Sequence, residues 1–200
     1  MSPHEIETKW DATKIPRAKF NRFVWSVIDE EKHLEWTFKS AGGYDHYFVN
    51  SLGFVARHRD GDDLKELTVK ARLDDNDITV RIEHNVALDP KHATIQSVHG
   101  FLKTSGYQKR VSIHKDCDIY RFKTKNSPVE ATVVWYEVTC PEHPPRTFIE
   151  VEVDGGSKKQ RLKVLKQWTR ALEKGLKIGK KQVSQESLYE IYTGLKYRLI

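Results

Sequence analysis

The run Phe148-Ile-Glu-Val-Glu-Val-Asp154 alternates apolar and acidic side chains without interruption. Successive side chains of an extended strand point to opposite faces, so Glu150, Glu152 and Asp154 share one face and Ile149, Val151 and Val153 the other. The apolar face must meet a core; the acidic face of an ordinary half-buried strand would meet water. The same alternation occurs in Glu5-Ile-Glu-Thr-Lys9, which aligns Glu5, Glu7 and Lys9, and charge recurs at this period in Arg57 and Arg59, Lys70 and Arg72, and Arg81 and Glu83. If all these faces met water, the intervening residues would have to fill the sheet interior. They include His58, Ala71 and Ile82, an uneven set for a β-core. The charged faces are therefore expected to point inward. A cavity lined by both signs calls for a neutralising ligand, because unpaired buried charge is costly. A polyphosphate with Mg²⁺ or Mn²⁺ has the right chemistry: carboxylates hold the hard cation, and Arg and Lys hold phosphate oxygens.

Composition narrows the partners without choosing among them. A net charge of +6 and a pI near 9.2 imply an anionic partner. Charged residues reach 31% and hydrophobic ones only 38%, which fits charge lining an interior. No apolar run approaches the ~20 residues of a membrane span, and the opening MSPHEIETKW carries acids where a signal peptide needs an apolar core. A cytoplasmic protein without membrane association is expected. Cys117 and Cys140 lack zinc spacing and read as reduced structural thiols.

With no low-complexity tract or internal repeat, the chain reads as one domain over residues 1–200. A helix is expected from Pro16 to His33, with Phe20, Phe23, Val24, Val27 and Ile28 as its apolar stripe and Gly42-Gly43 ending that region. Strands are expected at 4–10, 44–59, 64–73 and 77–87, divided by the acidic turns 60–63 and 74–77. Asp89-Pro90 suggests the start of a helix near 90–104. Further strands follow at 107–115, 118–125, 129–140 and 146–154, the last two parted by Pro141, Pro144 and Pro145. Leu162, Leu165, Trp168, Leu172 and Leu176 mark a helix after Ser157, and a short helix closes the chain near 184–193. The fold class is α+β, with a closed or nearly closed antiparallel sheet.

Glu5-Ile-Glu-Thr-Lys9 matches the ExExK signature of the CYTH superfamily, the triphosphate tunnel metalloenzymes, which include class IV adenylate cyclases and thiamine triphosphatases. The chain resembles that family further in Arg57-His-Arg59, Leu67-Thr-Val-Lys70, Arg81-Ile-Glu83, Ser105–Arg110, Phe148–Glu152 and the Leu176 and Leu188-Tyr189 region, all in the family's order. The resemblance implies an eight-stranded antiparallel β-barrel, a triphosphate tunnel, with flanking helices. It implies a metal-dependent triphosphatase acting on tripolyphosphate, thiamine triphosphate or a nucleoside triphosphate, with nucleotide cyclisation or ligand binding without turnover as alternatives. Carried over by position, Glu5, Glu7, Glu150 and Glu152 would ligate Mg²⁺ or Mn²⁺, with Glu83 and Glu137 as further acids. Lys9 would join the four ligating acids in catalysis and, with Arg57, Arg59, Lys70, Arg72, Arg81, Lys109 and Arg110, hold phosphates. Where the family often has Lys-x-Arg, this chain has Gln108-Lys109-Arg110. The expected state is a monomer or homodimer.

Acids interleave with bases on almost every strand, which weakens a nucleic-acid footprint and leaves an RNA 5′ end as the one nucleic-acid partner to consider. The nine histidines are scattered, and His46, His58, His84 and His114 lack metal spacing. Surface or hydrogen-bonding roles are expected for them. Lys158-Lys-Gln-Arg161, with Lys163 and Lys166, reads as the solvated face of an amphipathic helix, and Tyr189 reads as a packing residue.

Overall fold

The structure, a computed structural model, describes residues 4–31, 33–62, 64–72, 80–125 and 127–196, without the side chains of 4–5, 70–72 and 80–83. The strands are β1 (His4–Asp11), β2 (Leu34–Asn50), β3 (Val55–Gly61), β4 (Lys65–Arg72), β5 (Val80–Ala87), β6 (Tyr107–Thr124), β7 (Glu130–Cys140) and β8 (His143–Asp154). The helices are α1 (Arg17–Glu30), α2 (Ile95–Thr104), α3 (Lys158–Leu176) and α4 (Leu188–Thr193). Around the barrel the strand order is β1-β5-β4-β3-β2-β6-β7-β8, and every neighbouring pair is antiparallel. The ring closes at β1, which pairs with β8 over Ile6–Asp11 but with β5 only over His4–Ile6. Beyond that short seam the C-terminal segment takes over the edge. Ser184 donates its backbone N–H to the Lys9 carbonyl at 2.8 Å, and Trp10 and Val183 form a bridge.

Strand alternation divides the apolar residues into three clusters. Outward-facing Ile6, Trp10, Val133, Trp135, Ile149 and Val151 lie under α1 and α3, which contribute Phe20 and Val24, and Leu165, Trp168, Leu172 and Leu176. Full burial of such a side chain contributes about 1.5–3 kcal/mol, so this interface holds the two helices to the barrel. Ser157 caps α3 through a reciprocal capping box with Gln160. A second outer cluster sets Val98 and Leu102 of α2 on Phe48 and Ala56. The third lies inside the barrel: Tyr47, Val49, Val55, Ile113, Val138 and Phe148 meet Leu188, Tyr189 and Tyr192 of α4, which plugs one end. Tyr189 does pack.

Several expected boundaries shift for physical reasons. Pro16 occupies the position just before α1, with extended backbone and no side-chain cap, instead of the first helical position. Asp89-Pro90 forms a turn closed by Ala93 N–H onto the Asp89 carbonyl, and Thr94 caps α2 by accepting from Ser97 N–H. The expected strand 44–59 is the end of β2 joined to β3 through a turn in which the Asn50 side chain accepts from the N–H groups of Leu52 and Phe54. Gly42-Gly43 lies within β2: a Cβ on Gly43 would sit 2.5 Å from Gly61 Cα, so the glycine serves close strand approach and is no stop. The strands expected at 107–115 and 118–125 are one strand, β6. Pro144 and Pro145 lie inside β8, beside the register shift between Val138 and Cys140. Arg161 is 5% exposed, so it leaves the solvated face expected of it.

Candidate functional site

The inward faces not filled by the plug enclose a cavity of about 1450 Å³. Glu7 and Lys9 line it from β1, and Glu150, Glu152 and Asp154 from β8. The β1–β8 register sets Glu7 directly opposite Glu152 and Lys9 opposite Glu150. Such cross-strand partners have Cβ atoms about 4.5–5.5 Å apart, so three carboxylates and one ammonium share a single patch of wall. Glu7 is 7% and Lys9 4% exposed. The Tyr136 hydroxyl donates to Glu150 Oε2 at 2.9 Å. Burial and then the Glu150 charge push the Tyr136 pKa well above its ordinary value, so this hydroxyl stays a donor and fixes the carboxylate.

The facing wall is cationic but internally paired. Arg57 on β3 donates to Glu66 Oε1 and Thr68 Oγ1, each at 3.0 Å. Arg59 grips Asp45 with two bonds of 2.8 and 3.1 Å, and Lys115 Nζ lies 3.9 Å from the same carboxylate. Burial alone would raise the Asp45 pKa; Arg59, Arg57 and Lys115 outweigh it and hold the carboxyl far below the usual range. Lys115 also lies 4.3 Å from the Tyr136 ring centroid, which links the two walls.

Of the expected site residues, Glu7, Lys9, Arg57, Arg59, Glu150 and Glu152 come together in the cavity. The side chains of Glu5, Lys70, Arg72, Arg81 and Glu83 lie outside the described residues; backbone register pairs Glu5 with Arg81, Lys70 with Glu83, and Arg72 with Arg81. Lys109, Arg110 and Glu137 are exposed and line no part of the cavity, contrary to expectation. The β2–β6 register slips between Tyr47/Val111 and Phe48/Lys109, leaving Arg110 as the extra residue of a bulge and pairing Lys109 with outward-facing Phe48. Glu137 fails by parity, since the inward residues of β7 are Thr132, Val134 and Tyr136. Glu130, at an even position, lines the cavity instead. Sequence reasoning also missed Asp45, Glu66, Lys115 and Tyr136. Glu66 stands two residues before Thr68 and four before Lys70, so the parity argument applied to β4 would have found it.

Glu7, Glu150 and Glu152 bring to one stretch of wall the hard oxygen donors that a divalent cation prefers, although among the described residues their carboxylates do not converge as a ready-made group of three. Like charges directly opposite on neighbouring strands are destabilising, and a cation near Glu7 and half-buried Glu152 would offset that repulsion.

No protein-family model and no curated protein matches this sequence. Its fold does match solved structures. A conserved hypothetical protein from Pyrococcus furiosus is 18% identical with a TM-score of 0.65, over 93% of this chain and 98% of that one. A Pyrococcus horikoshii protein is 16% identical with a TM-score of 0.60, over 94% and 97%. A Bacillus halodurans protein described as a candidate adenylate cyclase is 15% identical with a TM-score of 0.56, over 95% and 98%. At these identities the likeness is one of fold. No helix among the described residues is long and apolar enough to cross a membrane.

Proposed function

We propose that this chain is a metal-dependent triphosphatase that cleaves the terminal phosphoanhydride of tripolyphosphate, thiamine triphosphate or a nucleoside triphosphate. The observation that carries the reading is the division of one cavity into an acidic wall on β1 and β8 and an arginine wall on β3, which lies four strands from β8 around the eight-strand ring. Glu7, Glu150 and Glu152, with Glu5 in line on β1, would hold Mg²⁺ or Mn²⁺. The bound ion would neutralise phosphate charge and polarise the terminal phosphoryl group.

The chain's own residues supply binding and alignment. Arg57 and Arg59 present forked donors to the phosphate oxygens, and their pairs with Glu66 and Asp45 keep those forks oriented before substrate arrives. Lys9, opposite Glu150, adds positive charge where the terminal phosphate meets the acidic wall. Tyr136 keeps Glu150 in place. Water attacks the terminal phosphorus, the bridging P–O bond breaks with its electrons on the departing diphosphate, and no covalent enzyme intermediate is needed. The plug on α4 seals the far end of the barrel and limits how deep a substrate reaches.

Phosphate release from tripolyphosphate, thiamine triphosphate, ATP and triphosphorylated RNA, each with Mg²⁺ and Mn²⁺, tests this directly. Full metal-dependent release by both Glu7→Gln and Glu150→Gln overturns it. Formation of pyrophosphate and a cyclic nucleotide from ATP would favour the cyclase reading, and tight binding without turnover the binding module.

A further inference from the structure

On the outer side of the barrel wall, three histidines converge. His46 of β2 and His58 of β3 are cross-strand partners at even positions, opposite in parity to the inward residues Asp45, Tyr47, Arg57 and Arg59. His99 of α2 joins them. Ring centroids are 4.8 Å apart for His46 and His99, 5.4 Å for His58 and His99, and 5.8 Å for His46 and His58. One donor nitrogen from each ring lies within 4.8 Å of the others, and this is the one such group of three His, Cys or carboxylate residues among the described residues. His46 is 7% and His58 0% exposed.

The hydrogen bonding is incomplete in a telling way. His46 Nδ1 pairs with Ser112 Oγ at 2.8 Å, but His46 Nε2, both ring nitrogens of His58 and His99 Nε2 are buried without a hydrogen-bond partner. Buried polar atoms are ordinarily satisfied, and a side chain that only fills space at this position would have no reason to bury two nitrogens.

We infer that His46, His58 and His99 form a divalent transition-metal site, suited first to zinc, on the outer face of the barrel. Zinc–nitrogen bonds of about 2.0–2.1 Å in a tetrahedral arrangement set donor nitrogens about 3.3 Å apart, a contraction within reach of side-chain rotation. Three imidazoles favour Zn²⁺, Co²⁺, Ni²⁺ or Cu²⁺ over the hard Mg²⁺ and Mn²⁺ that suit the carboxylate wall inside. The Ser112 contact fixes the His46 ring and leaves Nε2 as its ligating atom, the supporting role that outer partners play for metal-bound histidines. Burial and then Lys109 lower the His46 pKa to about 4; burial likewise lowers those of His58 and His99, so the ligands are neutral at pH 7. The charged groups nearest the three rings are Lys109, which acts on His46 and His99, and the Asp60–Lys65 pair, joined at 2.9 Å. The metal would pin α2, whose buried anchors are Val98 and Leu102, to β2 and β3.

The test is a titration of the chelator-stripped full chain with Co²⁺. One equivalent is expected to give the intense visible bands of four-coordinate, nitrogen-ligated cobalt, to lose them on adding Zn²⁺, and to raise the thermal midpoint. Six-coordinate cobalt on tunnel carboxylates would be pale, so Glu7→Gln is expected to keep the bands and His99→Gln to lose them. His99 is only partly buried on a surface helix, so its variant stays informative if His58→Gln fails to fold. Absence of the bands in the unaltered chain, or their persistence in His99→Gln, overturns the inference.

Discussion

The two halves of the barrel interior are built from the same strands by the same alternation, yet one is apolar and the other ionised. The change falls between consecutive inward positions on strand after strand: Val55 to Arg57, Tyr47 to Asp45, Ile113 to Lys115, and Phe148 to Glu150. Alternation therefore sets which face a residue takes, while the covering element decides what that face can hold. Where α4 enters, Leu188, Tyr189 and Tyr192 complete a dry core. Where no described element enters, ionised groups pair along the wall, Arg57 with Glu66 and Arg59 with Asp45. The apolar half stabilises the fold by burial, whereas the charged half depends on those ion pairs to offset the cost of burying charge.

That division is broken most forcefully by substitutions on either side of one step along β8. Phe148 is 0% exposed and lies 5.5 Å from Tyr136, ring centre to ring centre. Phe148→Ala is expected to cost about 3–5 kcal/mol in denaturant unfolding, the usual range for truncating a buried Phe. Glu150→Gln, two residues on, is expected to leave the unfolding midpoint unchanged or higher while lowering kcat by about 10²–10³-fold, the scale of losing one preorganised electrostatic group. A destabilised Glu150→Gln with full turnover would erase the proposed contrast.

How much of this was legible in the sequence follows from the same contrast. The inward rows Glu7-Lys9, Arg57-Arg59 and Glu150-Glu152 could be read because period-2 alternation is local. The plug could not, because α4 reaches it from the far end of the chain. Eight strands are expected and the described residues form eight, but partly by offsetting errors: Gly42-Gly43 hides the first half of β2, and the expected pair 107–115 and 118–125 divides β6 in two. Lys109 and Arg110 were misplaced because a bulge reverses parity without a marker such as glycine or proline beside it. The histidine cluster was invisible because β2, β3 and α2 bring together residues 46, 58 and 99, whose separations match no metal motif.

Smaller effects sharpen the boundary between the halves. Tyr136 belongs to both, packing on Phe148 and donating to Glu150. Tyr136→Phe keeps the ring and removes the donor, so stability should change little while Mn²⁺ affinity falls about 10–100-fold, as for loss of an outer partner of a metal ligand. Unchanged Mn²⁺ binding by calorimetry would detach Tyr136 from the site.

Asp45 tests the same boundary through pH. Burial opposes its ionisation, but Arg59 and Arg57 from β3 and Lys115 from β6 depress its folded-state pKa far below the unfolded value. Its contribution to stability is therefore complete above an unfolded pKa of about 3.9 and drains away as pH falls below it. Asp45→Asn should unfold more readily at pH 7, since Arg59 and Lys115 lose their shared partner. Below pH 4, however, its stability should fall less steeply than that of the unaltered chain, by up to about 1.4 kcal/mol per pH unit for the one missing proton. Parallel acid limbs in urea unfolding between pH 2 and 4 would mean that Asp45 is not the anion that holds the cationic wall together, and the ionised half would then depend on another group for its order.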